Sequence, residues 1–193
     1  MDAQFGAIEG VIRTRAGYAG GRTDHPDYGN IGDHTETVQV DFDPDRVSFS
    51  DLLAIFWDSH RPTGQSGSRQ YRHAIFYHDA HQQQQALESR TAIERKLGST
   101  VRTEVLPLRS FTRAEDYHQK YILKRESDLM RELSRTYPNH RDIVDSTAAA
   151  RLNSYVGGYG SPEQLAREIE ILGLGPESRK KVETIVRGKG LLN

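Results

Sequence analysis

The chain has 193 residues, 26 basic against 27 acidic, and a mean hydropathy of −0.72. A net charge of −1 argues against a nucleic-acid or anionic-lipid binder, both of which use a basic surplus. No apolar run approaches the ~20 residues that span a bilayer and no signal peptide opens the chain, so the cytoplasm is the expected compartment. Cysteine is absent, which excludes disulfides, thiolate metal sites and a cysteine nucleophile within these residues.

Residues 1–10 read as a short helix with Ala3, Phe5 and Ile8 as its apolar positions and Gly10 as its stop. A strand from Val11 to Arg15 then enters a glycine turn, and 22–35 form a polar loop. From Glu36 to Phe42 apolar and polar residues alternate, the pattern of a half-buried strand. Leu52, Leu53, Phe56 and Trp57 share one helical face, with Ser50 as the expected N-cap. A second loop leads to Tyr71 and a strand over His73–His78, followed by a polar helix over 81–97 and a short strand over 101–108. Thr112 and Glu115 have the spacing of a capping box for a helix carrying Tyr117, His118 and Tyr121. Beyond residue 125 the pattern is helical, with Ser161-Pro162 and Pro176 as helix starts. The expected fold class is α+β, with one domain over 1–125 and a helical C-terminal extension over 126–193.

His73 and His78 fall on opposite faces of a predicted strand, so three convergent metal ligands are not expected and the histidines read as solvated. Arg179, Lys180, Lys181, Arg187 and Lys189 make a basic cluster, read as a solvated helix face because cations favour helix C-termini. AGYAGG matches no phosphate-binding pattern and reads as a tight turn.

Two loops carry more chemistry. HPDYGNIGDHTE holds Tyr28 and ends in Glu36, and SRQYRHAIFY holds Tyr71, each at a junction between a loop and a strand. A carboxyl group with two phenols suits the protonation and gripping of a strongly polar oxygen. Burial would keep the glutamate protonated near neutral pH as a general acid. The plainer alternative is that tyrosines at strand starts serve packing.

The segments GVIRTRAGYAGG, HPDYGNIGDHTETVQVDFDP, FSDLLAIFWDSHRPT, SRQYRHAIFYHD and AEDYHQKYILK, in that order, resemble the methionine sulfoxide reductase A family, the peptide-methionine (S)-S-oxide reductases. The resemblance implies a two-layer sandwich of a mixed sheet with flanking helices. It also implies repair of oxidative damage by reduction of methionine S-sulfoxide, free or in proteins. In that chemistry a thiolate or selenolate attacks sulfur, an acid protonates the departing oxygen, and two phenols hold it. Carried across residue by residue, the acid is Glu36 and the phenols are Tyr28 and Tyr71. Thioredoxin or a glutathione-type thiol would be the reductant, without metal, flavin or nucleotide.

Two departures from the family pattern stand out. QSGSRQY replaces a pattern like NDxGTQY, with Ser66 or a neighbour in the place of the aspartate. The GCFW-type signature, which holds the nucleophile, is absent. The expectation is therefore that the nucleophile lies upstream of Met1, with selenocysteine favoured over cysteine. A catalytically inactive or degenerate family member that only binds methionine sulfoxide is the alternative.

Overall fold

The computed structural model describes residues 1–190, with side chains described through Gly188. The chain divides into two compact units. One comprises 16–38 and 47–115; the other comprises 1–15, 39–46 and the residues from 116 onward.

The first unit contains the end of strand β1 (Val11–Ala19) and the start of β2 (Thr35–Phe42). It also holds β3 (Ala74–Tyr77), β4 (Glu104–Pro107) and β5 (Phe111–Arg113), with helices α2 (Phe49–Asp58) and α3 (Ala80–Leu97). The three-stranded sheet has the order β2-β1-β5, and β1 pairs antiparallel with β5 from Gly17↔Arg113 to Ala19↔Phe111. Gly17 is required at that crossing, because a Cβ would stand 2.3 Å from the Phe111 ring. β3 and β4 form a separate parallel pair, Ala74↔Glu104 to Tyr77↔Pro107. Both kinds of pairing are thus present, distributed over two small sheets.

Helix α2 buries Leu52, Leu53, Phe56 and Trp57 as the periodicity predicts. Its cap is Ser48, not Ser50. Ser48 Oγ accepts from the Asp51 amide while the Asp51 carboxylate accepts from the Ser48 amide, a reciprocal pair that starts the helix two residues earlier. α3 keeps a thin apolar seam at Ala86 and meets α2 through the Trp57 indole N–H, which donates to Ser89 Oγ at 3.0 Å. The expected helix after Thr112 does not form. Thr112 is taken up by the β1–β5 ladder, and only a 3-10 turn follows at Asp116–His118.

The second unit contains α1 (Asp2–Gly6), α4 (Ser127–Thr136), α5 (His140–Asp145), α6 (Thr147–Gly157), α7 (Pro162–Glu168) and α8 (Pro176–Gly190). Its core is Leu129 and Leu133 of α4, Leu152, Tyr155 and Val156 of α6, Leu165 of α7, and Val182 and Val186 of α8. Lys120 is buried beside them with a left-handed backbone (φ 48°), and its ammonium donates to the carbonyl (2.5 Å) and hydroxyl (2.7 Å) of Thr14 and to Asp2. The basic face of α8 is partly neutralised: Lys181 pairs with Glu126 and Asp128, Arg179 with Glu170, and Arg187 with Glu183. Lys189, the fifth residue of that cluster, lies outside the described side chains. Among the described residues no helix is long and apolar enough to cross a membrane.

Candidate active site

Tyr28, Glu36 and Tyr71 all belong to the first unit, and three short segments bring them together. The loop of residues 20–34 carries Tyr28. His34, buried at its end, clamps the loop: Nδ1 accepts from the Gly21 amide at 3.3 Å and Nε2 lies 2.8 Å from the Thr23 carbonyl. Asp33 closes the same turn by accepting from the amides of Arg22 and Thr23 and from the Thr23 hydroxyl. Those donors, led by the Arg22 amide, hold its carboxyl down at about 2. Further along, the Tyr28 amide donates to Glu115 Oε1 at 2.8 Å.

Glu36 is the second residue of β2, and Tyr71 ends a 3-10 turn, Arg69–Tyr71, capped by Ser68. The two are tied by Thr35, whose hydroxyl donates to the Arg69 carbonyl at 3.0 Å and accepts from Arg72 Nε at 2.6 Å. Arg72 also reaches Glu104 at 3.2 Å and the Gly20 carbonyl at 3.4 Å. One guanidinium therefore braces the start of the Tyr28 loop, the start of β2 and the Tyr71 turn.

The side chains converge accordingly. Interaction with the neighbouring Tyr28 hydroxyl is the main reason the Tyr71 phenol is pushed above its ordinary value; burial and the Glu36 charge add to it. Gln70 donates from Nε2 to Glu36 Oε1 at 2.8 Å. Tyr28 and Tyr71 remain 45% and 52% exposed, so the hydroxyl pair faces solvent rather than serving as core packing. Glu36 is exposed as well. That corrects the expectation of a buried carboxyl: the first unit supplies Glu36 with a hydrogen-bond donor, not with an apolar pocket. Together, two phenols and a carboxyl group offer one oxygen atom several hydrogen-bonding groups.

Ser66 accepts from the Ser68 amide at 3.1 Å and so shapes the turn before Tyr71. His73 and His78 flank β3 instead of lying on it, and His73 packs against His60 with ring centroids 4.4 Å apart and planes tilted by 59°. Among the described residues no group of three or more His, Asp or Glu is placed to hold a metal ion. Sequence reasoning missed Gln70, Arg72 and Glu115. The first two adjoin Tyr71 in sequence, a proximity that could have marked them, whereas Glu115 was assigned to a helix cap.

The comparisons with known proteins agree with one another. A family model described as peptide methionine sulfoxide reductase matches residues 1–150, and one described as selenoprotein methionine sulfoxide reductase A, helical domain, matches 139–187. A peptide methionine sulfoxide reductase of Drosophila melanogaster is 39% identical over 181 residues, covering 93% of this chain and 72% of its own. A peptide methionine sulfoxide reductase MsrA of Methanococcoides burtonii is 41% identical over 135 residues, covering 64% of this chain and 88% of its own. Two solved structures share the fold. Mxr1 from Saccharomyces cerevisiae in reduced form gives a TM-score of 0.57 at 26% identity, covering 61% of this chain and 74% of its own. Methionine sulfoxide reductase A of Corynebacterium diphtheriae gives 0.54 at 35% identity, covering 61% and 65%. Matched in sequence from its first residue to residue 150 and in fold by solved members, the chain belongs to the peptide methionine sulfoxide reductase family, enzymes that reduce methionine sulfoxide.

Proposed function

We propose that this protein reduces the S epimer of methionine sulfoxide, free or in proteins, with Glu36 as the acid and Tyr28 and Tyr71 as the groups that hold the sulfoxide oxygen. The observation that carries the assignment is the grouping of two exposed phenols, Tyr28 and Tyr71, with the Glu36 carboxyl, the Tyr71 turn being tied to the start of β2 through Thr35 and Gln70. A raised phenol stays protonated at neutral pH, so the pair presents donors, and a sulfoxide oxygen is a strong acceptor.

The nucleophile is not among these 193 residues, which contain no cysteine. Serine is a poor attacker at sulfur. We therefore assign the nucleophile to a segment ahead of Met1. The match of 139–187 to a helical domain described as that of a selenoprotein favours selenocysteine over cysteine there. The chemistry balances without a metal or flavin. The thiolate or selenolate forms a bond to the sulfoxide sulfur as the oxygen takes a proton from Glu36; the S–O bond and the new bond to sulfur then break while the hydroxyl passes to the nucleophile, so methionine departs and the nucleophile becomes a sulfenic or selenenic acid. Two equivalents of thiol, from thioredoxin or a glutathione-type donor, then return it to the reduced state, releasing water and a disulfide.

The intact mass of the protein from its native source tests the assignment, together with an assay on separated methionine sulfoxide epimers. A mass above 21.8 kDa with a selenium isotope envelope and turnover of the S epimer alone is the expected result. A mass of 21.8 kDa, with binding of a methionine sulfoxide peptide and no turnover, would establish instead an inactive sulfoxide-binding protein.

A further inference from the structure

Helix α1 cannot hold itself. A five-residue helix is a single turn, whose nucleation fixes several dihedral angles for one hydrogen bond, and the carbonyls at its C-terminal end have no intrahelical donors. Within the second unit both of its ends are held by one helix of the C-terminal segment, α6.

At the C-terminal end, the buried Arg151 of α6 donates from Nη1 to the carbonyl oxygens of Gly6 and Ile8, the latter at 2.7 Å. Arg151 Nε pairs with Glu168 at 3.2 Å, and the same carboxylate oxygen accepts the Tyr155 hydroxyl at 2.8 Å, so the guanidinium is itself fixed. At the other end, Asn153 Nδ2 donates to Asp2 Oδ2 at 3.2 Å while its Oδ1 accepts from the Leu123 amide. Between these grips the helices touch backbone to backbone. A Cβ on Gly6 would stand 2.5 Å from the Ala150 carbonyl oxygen and from Ser154 Oγ. Every residue of α6 from Ala148 to Val156 is buried, so the gripping surface is rigid.

We propose that α6 is the seat of α1 and that Arg151 is a positioning residue for the nucleophile. The catalytic half of this inference rests on the assignment of the nucleophile to the segment ahead of Met1. A reacting group joined to α1 inherits whatever freedom α1 has, and a displacement of 1 Å at a nucleophile costs on the order of a hundredfold in rate. An arginine is suited to the task because one planar fork reaches several acceptors, which a lysine ammonium does with less directional control.

Hydrogen exchange on the 193-residue chain tests the seat without any need for activity. In Arg151→Met the amides of Phe5 and Ile8 are expected to exchange about tenfold faster while those of α8 are unchanged. Equal exchange at Phe5 and Ile8 would overturn the proposal. Should Arg151→Met fail to fold, Asn153→Asp carries the test. It keeps the acceptor for the Leu123 amide and replaces the 3.2 Å bond to Asp2 with like charges, and a smaller acceleration confined to residues 3–9 is expected.

The catalytic half is read in the N-terminally extended, nucleophile-bearing form. There Arg151→Met should lower kcat on the order of tenfold with KM unchanged, because the sulfoxide-holding groups are untouched. An unchanged kcat would overturn the positioning role. If the unsubstituted extended protein shows no turnover, the nucleophile assignment fails and the catalytic role of Arg151 with it, while the exchange data still decide whether α6 seats α1.

Discussion

The carboxylate of Glu115 joins two tyrosines, accepting the amide of Tyr28 at Oε1 (2.8 Å) and the hydroxyl of Tyr18 at Oε2 (2.7 Å). Tyr18 is 1% exposed within β1, whereas Tyr28 sits on an exposed loop. One ionised acceptor therefore couples the loop that presents a site residue to the interior of the first unit. Hydrogen bonds to an ionised partner are the stronger kind, and this one sets where the Tyr28 backbone lies relative to Tyr71.

Replacing Glu115 should show both effects. Glu115→Ala is expected to cost about 1.5–3 kcal/mol in urea unfolding, the range for hydrogen bonds to a charged group. Glu115→Gln keeps one acceptor oxygen and should lose less. In either variant the Tyr28 amide should exchange faster than in the parent chain. A stability unchanged within about 0.5 kcal/mol for Glu115→Ala would mean that the bridge contributes nothing.

The cap of α2 gives a cleaner comparison of two serines in one segment. Ser48→Ala breaks the reciprocal Ser48–Asp51 pair and should cost about 1 kcal/mol. Ser50→Ala removes only an exposed contact to Gln85 and should stay within about 0.5 kcal/mol. Thermal melts of the two variants decide between them, and a larger loss at Ser50 would move the helix start.

Those serines also show how far the sequence could be read. The apolar face of α2 follows from spacing alone, because only one helical phase puts Leu52, Leu53, Phe56 and Trp57 together. The cap does not, since Ser48 and Ser50 both precede that face and only the Asp51 carboxylate selects between them. The same limit applied to Thr112 and Glu115. Their spacing fits a capping box, yet Thr112 was claimed by a strand partner nearly a hundred residues earlier and Glu115 by Tyr18 and Tyr28. At the site, the loop–strand junctions identified Tyr28, Glu36 and Tyr71 as candidates. Their convergence depends on Thr35, Gln70 and Arg72, whose contacts across thirty to fifty positions leave no periodic trace. Glu36 was expected to be buried because acid catalysis favours it, whereas it lies exposed and accepts a hydrogen bond from Gln70.

His60 should give the first unit a pH-dependent stability near neutrality. Partial burial pushes its imidazole below the ordinary 6.5, with the neighbouring His73 acting in the same direction. The hydrogen bond to the Phe56 carbonyl opposes that shift, and burial outweighs it. Nδ1 lies 2.8 Å from the Phe56 carbonyl, which requires a proton there, and Nε2 lies 2.9 Å from the buried Thr103 hydroxyl, which can donate to it. A base whose folded value is lowered binds fewer protons folded than unfolded, so stability rises with pH. The contribution is complete above 6.5, declines as pH falls below it, and levels off below the folded value. Urea midpoints measured from pH 8 to pH 5 should fall for the parent chain, and His60→Gln should lack that component. A parallel slope in both proteins would remove His60 as its source.

The Tyr28–Tyr71 interaction can be read directly in the 193-residue chain. Because Tyr28 is the leading reason that the Tyr71 phenol is raised, Tyr28→Phe should bring it back toward its ordinary value near 10, with burial and the Glu36 charge still holding it somewhat above. A carbon NMR titration of the Tyr71 ring over pH 8–12 measures this, and Glu36→Gln should produce a smaller downward shift of the same sign. If Tyr28→Phe leaves the Tyr71 titration unchanged, the hydroxyls are not paired in solution and the proposed oxygen-holding pair loses its support. In the extended, nucleophile-bearing form the same substitutions separate holding from protonation. Tyr71→Phe removes one donor to the oxygen and should cost on the order of a hundredfold in kcat/KM. Glu36→Gln removes the proton source and should cost roughly 10²- to 10⁴-fold. Activity surviving Glu36→Gln intact would transfer the acid role elsewhere, since glutamine can donate a hydrogen bond to the sulfoxide but cannot deliver a proton to the departing oxygen.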